Sequence, residues 1–151
     1  EHLMRVAVVG AGHRDRLHRL SWRDKTLEVW AVPRIVTRLP RVDRVYELHT
    51  GEAAAASASD VHRSKAAVYT WAELPEFHGP IGDTISAMLA HALHLGAEEV
   101  QLWGAPMQGR YTGQRDCVFY WIGRLVQAGV RFADHSSLLD WSMKYEWRKA
   151  H

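Results

Sequence analysis

Short apolar runs rich in β-branched residues alternate with helical stripes along almost the whole chain. Val6–Val9, stopped by Gly10, is the first run. "LEVWAV" (27–32) follows, closed by Pro33, then "VDRVYEL" (42–48), "AAVYT" (66–70), "EVQLW" (99–103) and "VRF" (130–132). Each is too short for a helix and reads as a buried strand. The segments between them carry the helical signals. Leu17 and Leu20 share one face of a weak helix over 14–23, and "PRIVTRLPR" (33–41), with prolines at both ends, reads as a loop. "GEAAAASASD" (51–60) is an alanine-rich, weakly anchored helix. After the loop 73–82, Asp83 or Thr84 can cap a helix whose stripe is Ile85, Met88, Leu89, Ala92 and Leu93, with Gly96 as its left-handed stop. A second stripe, Val118, Trp121, Ile122, Leu125 and Val126, stops at Gly129. Ser136 or Ser137 can cap a last helix through 138–147. Strand and helix in strict alternation imply parallel strands joined by crossovers, a three-layer α/β sandwich with a mostly parallel sheet.

The 151 residues suit one domain, taken as 4–151, with Glu1-His2-Leu3 ahead of Met4 read as a remnant of expression. A single cysteine, Cys117, excludes an internal disulfide and suits a reducing, cytoplasmic setting. No apolar stretch approaches the ~20 residues that cross a bilayer, so no membrane partner is expected. Net charge is +2, but residues 1–65 carry twelve Lys/Arg against eight Asp/Glu, and residues 66–151 seven against nine. A basic first half suits an anionic ligand or a solvated surface. It falls short of a polybasic run and carries no nucleic-acid motif, so nucleic acid is an unfavoured partner.

In an open parallel sheet, ligands bind beyond the carboxyl ends of the strands. The segments expected there are 10–14, 33–38, 49–51, 77–83, 104–115 and 134–137, and three of them carry most of the candidates. Gly10-Ala11-Gly12, with His13 and Arg14 behind it, offers amides, a helix start and two cationic-capable side chains to a phosphate. The dinucleotide fingerprint G-x-G-x-x-G fails at Asp15, so a plain strand-to-helix turn is the rival reading. "HGPIGDT" (78–84) offers Gly82, Thr84 and the nearby Ser86 at a second helix start, where Asp83 can instead occupy the cap. "GAPMQGRYTGQRD" (104–116) is too polar for core and is expected to close over the pocket. Gly104, Gln114 and Arg115 are its main candidates, Arg110 a lesser one, and Arg115 is placed to stabilise developing charge. Glu47 and His49, ending the third strand, can transfer protons or hold a ribose, although Arg44 or Arg14 can also simply pair with Glu47. His91 and His94 lack the further ligands of a metal motif, so no metal is expected. Cys117 has no base near it in sequence and reads as structural.

"VAVVGAG", "EVWAV", "DRVYELH", "ISAMLAHALHLGAEEVQLWGAPM" and "YTGQRDCVFYWIGRLVQAGVRF" together resemble a group of small phage-encoded Rossmann-like proteins. The later part is also similar to the domain shared by flagellin-modifying glycosyltransferase-like proteins and archaeal pterin pyrophosphokinases. The resemblance spans most of 5–140 and implies a Rossmann-like fold that handles nucleotides, without fixing one reaction. The chain departs from that pattern at Pro33, where members carry Asn, and at Gly104-Ala105-Pro106-Met107, where they carry an acidic residue. The expectation is a nucleotide-like small-molecule ligand acted on by a transferase or hydrolase. The alternative is a non-catalytic binder that sequesters a nucleotide signal. No cofactor is specified, and a homo-oligomer is compatible with the sequence.

Overall fold

The computed structural model describes residues 3–12 and 16–139. Six strands form one sheet: β1 (Arg5–Val9), β2 (Leu27–Ala31), β3 (Arg44–Tyr46), β4 (Ala67–Tyr69), β5 (Glu99–Trp103) and β6 (Arg131–Asp134). Their order is β4-β3-β2-β1-β5-β6, and every pair is parallel. The order reverses at β1, where the chain steps from β4 across to β5. The fold is a Rossmann-like α/β sandwich, as the alternation of patterns implies.

β1 occupies the centre because it is apolar on both faces. Val6, Ala7, Val8 and Val9 are all fully buried. Alternation of side chains splits them between two cores. Val6 and Val8 join Trp30, Tyr46, Val100 and Leu102 beneath α2 (Thr84–His94) and α3 (Arg115–Gln127). Ala7 and Val9 join Leu27, Val29, Ala31 and Val45 on the opposite face, with Ile35, Val36 and Val61.

α2 and α3 follow the stripes read from the sequence. Asp83 caps α2, its carboxylate accepting from the Ser86 amide at 2.9 Å. Gly96 (φ 76°) and Gly129 (φ 85°) end α2 and α3 in the left-handed region, where a Cβ would be strained. The opposite face differs from expectation. Residues 17–19 form only a single 3-10 turn, burying Leu17, where a helix over 14–23 was expected. Two apolar residues are too little periodicity to sustain a longer helix. Conversely, the proline-bounded stretch expected to be loop is a 3-10 helix, Pro33–Arg38. Pro33 sits at its start, where the missing N–H costs nothing, and Ile35 and Val36 bury their side chains against α1 (Gly51–Ser64) and the sheet. The last expected helix, 138–147, lies largely outside the described residues. Among those described, no helix is long and apolar enough to cross a membrane.

Beneath α2 lies an aromatic cluster. Trp30 and Tyr46 have ring centroids 5.2 Å apart, Tyr46 stacks on Tyr69, and the Arg44 guanidinium lies 4.6 Å from Trp30 and 4.7 Å from Tyr69. His91, 4% exposed, shares a 2.6 Å hydrogen bond with the Tyr46 hydroxyl through Nδ1. Burial, reinforced by the Arg44 and His94 charges, brings the His91 pKa down to about 4 from 6.5. The unfolded chain thus takes up this proton below its ordinary pKa, while the folded chain resists it until about pH 4. This contribution to stability is complete above that ordinary pKa and is lost as the pH falls toward 4, by ~3 kcal/mol in all. Urea unfolding of wild type and His91→Gln at neutral and mildly acidic pH checks it. Wild type is expected to lose stability more steeply, and equal slopes would refute the assignment.

Candidate functional site

One large cleft, about 1350 Å³, runs across the carboxyl ends of the strands. Its floor is Gly10–Gly12 after β1 and Gly104–Gln108 after β5, at the point where the strand order reverses. One wall comes from Pro33, Arg34 and Arg38 after β2, and from Ala53, Ala56, Ser57 and Asp60 of α1. Glu47, Leu48 and His49 after β3 and Trp71 after β4 form the far end. Ile81–Ile85, Tyr111 and Gln114 complete the lining.

The glycines of the floor are held by backbone. The Gly10 amide donates to the Trp103 carbonyl at 2.8 Å, and the Gly12 amide to the Gly104 carbonyl at 2.7 Å. A Cβ on Gly10 would stand 2.8 Å from the Gly104 oxygen. On Gly12 it would stand 2.6 Å from Pro106 Cδ and 2.9 Å from the Gly104 oxygen. The two glycines are therefore required by the close approach of β1 and β5, whatever else they do. The helix start expected behind them is only the short turn at 17–19, and His13 and Arg14 lie outside the described residues.

The second expected anion site is also internally satisfied. The Ser86 hydroxyl accepts from the Gly82 and Asp83 amides, both at 3.2 Å, and donates to the Asp83 carbonyl at 2.9 Å. Ser86 is fully buried and serves the cap rather than the cleft. Thr84 and Gly82 do line the cleft, with Asp83 between them. Burial raises the Asp83 pKa, partly offset by its hydrogen bonds from Ser86.

Glu47 and His49 lie side by side just beyond β3. β3 and β4 continue their pairing through the Glu47 amide, which donates to the Tyr69 carbonyl at 2.8 Å. Among the described residues, buried Glu47 Oε1 has no donor, and His49 Nδ1 lies 3.7 Å away, just beyond a hydrogen bond. Oε2 receives only a long contact, 3.4 Å, from the Ser57 hydroxyl. Arg44 pairs instead with Glu28 at 3.1 Å. A buried carboxylate oxygen without a donor costs about 1–3 kcal/mol or more, so this corner is poised to accept one.

Of the residues singled out in the sequence, Gly10, Gly12, Glu47, His49, Gly82, Thr84, Gly104 and Gln114 line the cleft. Arg115 does not. It is the first residue of α3, half-buried, and only the preceding Gln114 reaches the lining. The segment 104–116 is also more ordered than a plain loop, since Gly109–Gln114 forms a 3-10 helix that runs straight into α3. Arg34 and Arg38 lie in the segment 33–38 that the sequence places beyond the carboxyl end of β2, although neither was singled out within it. Trp71 was missed. Among the described residues, no three His, Cys, Asp or Glu side chains gather as a metal site.

Gly12→Ala is expected to lower stability by about 1–3 kcal/mol through overpacking against Pro106 and the Gly104 carbonyl. Gly113→Ala, with open space around its would-be Cβ, should stay within about 0.5 kcal/mol of wild type or gain slightly. Guanidinium unfolding midpoints of the two variants make the comparison, and equal midpoints would contradict the close β1–β5 approach. No known protein family matches the chain, and no curated protein or solved structure shows significant similarity to it.

Proposed function

We propose that the chain binds a nucleotide or related phosphorylated small molecule in this cleft and acts on it as a transferase or hydrolase. The observation that carries the reading is the cleft's place, at the reversal of strand order in an all-parallel sheet. Its volume of about 1350 Å³ exceeds the ~300–1,000 Å³ of ordinary small-molecule pockets and suits an elongated ligand or two substrates.

Phosphate recognition falls to side chains in this reading. The Gly10, Gly12 and Ser86 amides already have partners, whereas Arg34 and Arg38 are exposed on the cleft wall. Guanidinium groups bind phosphate through two parallel hydrogen bonds, so these two arginines suffice to hold one end of the ligand. His49 stands at the far end as the proton-transfer group. A small rotation of its exposed imidazole closes the 3.7 Å gap to Glu47 and fixes its orientation. Glu47 acts here as a positioning residue for His49.

The engaged amides also favour a second reading. No pair of backbone donors at Gly10 and Gly12 is left over for developing negative charge, which suits a binder that sequesters its ligand unchanged.

Mass spectrometry of small molecules released from the purified protein, followed by incubation with a nucleotide panel, separates the two. A chemically altered nucleotide supports the enzyme, and a tightly held, unaltered one supports the binder. In calorimetry, Arg34→Ala is expected to weaken nucleotide binding about tenfold or more, the loss of one charge-assisted hydrogen bond. His49→Ala should abolish turnover while changing affinity only a few-fold. Failure of every nucleotide to bind would overturn both readings.

A further inference from the structure

We infer that the β3–β4 end of the cleft is a stacking subsite for a planar heterocyclic base, with the Trp71 indole as its platform. The ligand class is then the nucleotides themselves rather than base-free phosphorylated sugars. The inference rests on the cleft being the ligand site proposed above.

Among the described tryptophans, Trp71 is the exposed one, at 51%, while Trp30, Trp103 and Trp121 are buried and Trp22 is half-buried. It is exposed but held. Its indole N–H donates to the Leu48 carbonyl at 3.1 Å. Its short turn, Trp71–Glu73, is clamped by the Glu73 carboxylate, which accepts from both the amide and the hydroxyl of Thr70 at 2.6 Å. The Thr70 hydroxyl in turn accepts from the Ala72 amide at 3.2 Å. With its N–H already bonded, the indole offers the cleft an apolar aromatic surface rather than a hydrogen bond. A fixed aromatic face binds planar rings without the entropy cost of ordering a mobile side chain.

The rest of this end leaves room for such a ring. α1 lines the cleft with Ala53, Ala56 and Ser57, three small residues at helical spacing, so no bulky side chain fills the space. That gives the alanine-rich run 51–60 a reason for its composition. The span agrees. β4, which delivers Trp71, and β2, which delivers Arg34, are two strand spacings apart, about 10 Å. That separation is comparable to the reach of a nucleotide from its base to its 5′-phosphate. Glu47 and Asp60 line the same cleft as the two arginines, so an organic cation is the rival occupant of the indole face.

The test is a calorimetric titration of the full chain with AMP, GMP, CMP, UMP, ribose 5-phosphate and phosphocholine, alongside tryptophan fluorescence. Base stacking corresponds to a roughly 5- to 150-fold gain in affinity. At least one nucleotide is expected to bind with that advantage over ribose 5-phosphate and to quench tryptophan emission. Trp71→Ala should erase the advantage, while Trp71→Phe should keep most of it and lose most of the quench. Both substitutions are at an exposed position, and circular dichroism confirms the fold. Equal affinity for nucleotides and ribose 5-phosphate, or an advantage that survives Trp71→Ala, would overturn the stacking subsite and leave the cleft reading standing. Preference for phosphocholine would also overturn it. Binding of none of these probes would remove both.

Discussion

Two backbone hydrogen bonds, from Gly10 to Trp103 and from Gly12 to Gly104, extend the β1–β5 pairing past the end of both strands. Most of what distinguishes this molecule depends on them. They draw the two chain segments together at the reversal of strand order, where an open parallel sheet would otherwise split apart. They require residues without a Cβ, since any side chain at 10 or 12 would collide with the Gly104 carbonyl. They also consume the amides that a glycine-rich turn would otherwise direct at a ligand. The two glycines of "GAG" are thus explained by the approach of two strands.

The connections on one face of the sheet compound that effect. β1 leads to β2 through a three-residue turn among the described residues, and β2 to β3 through the 3-10 helix Pro33–Arg38. Neither provides the N-terminus of a long helix above the central strands, which is the usual source of a fixed positive dipole there. α2 does start at the cleft, yet its first turn is closed by Asp83 and Ser86. In the proposed function, recognition of a phosphate therefore rests on exposed arginine side chains, which are less preorganised than helix-start amides.

The strands, α2 and α3 were legible because hydrophobic period and glycine stops point the same way. The stripe from Ile85 to Leu93 ends at a left-handed Gly96, and the stripe from Val118 to Val126 at a left-handed Gly129. Pro33 misled in the other direction. Proline marks a break in a helix interior, but at the first helical position it is tolerated, and the buried Ile35 and Val36 decided the outcome. Glu47 and His49 were found because strand ends in a parallel sheet are predictable. Trp71 was not, since nothing in a sequence distinguishes a tryptophan that fills a core from one whose N–H is tied down and whose face is left bare. Ser86 was assigned to a ligand for a similar reason. A hydroxyl in a helix's first turn reads the same whether it meets a phosphate or two amides of its own chain.

The distribution of rigid and mobile groups bears on what the cleft can accomplish. Its fixed parts are the glycine floor, the capped start of α2 and the clamped Trp71 turn, all of which favour holding a ligand in one pose. Arg34, Arg38 and His49 are exposed side chains whose positions a ligand must itself help to set. Enzymes lower barriers chiefly with polar groups held in place before the reaction. Here the strongest candidate for such preorganisation is Glu47, whose buried Oε1 has no donor among the described residues and stands 3.7 Å from His49. If the ligand brings the imidazole onto that oxygen, the unpaired carboxylate ceases to be a cost and becomes the anchor of a proton-transfer pair. Catalysis would then be coupled to binding, because only the occupied cleft completes the pair.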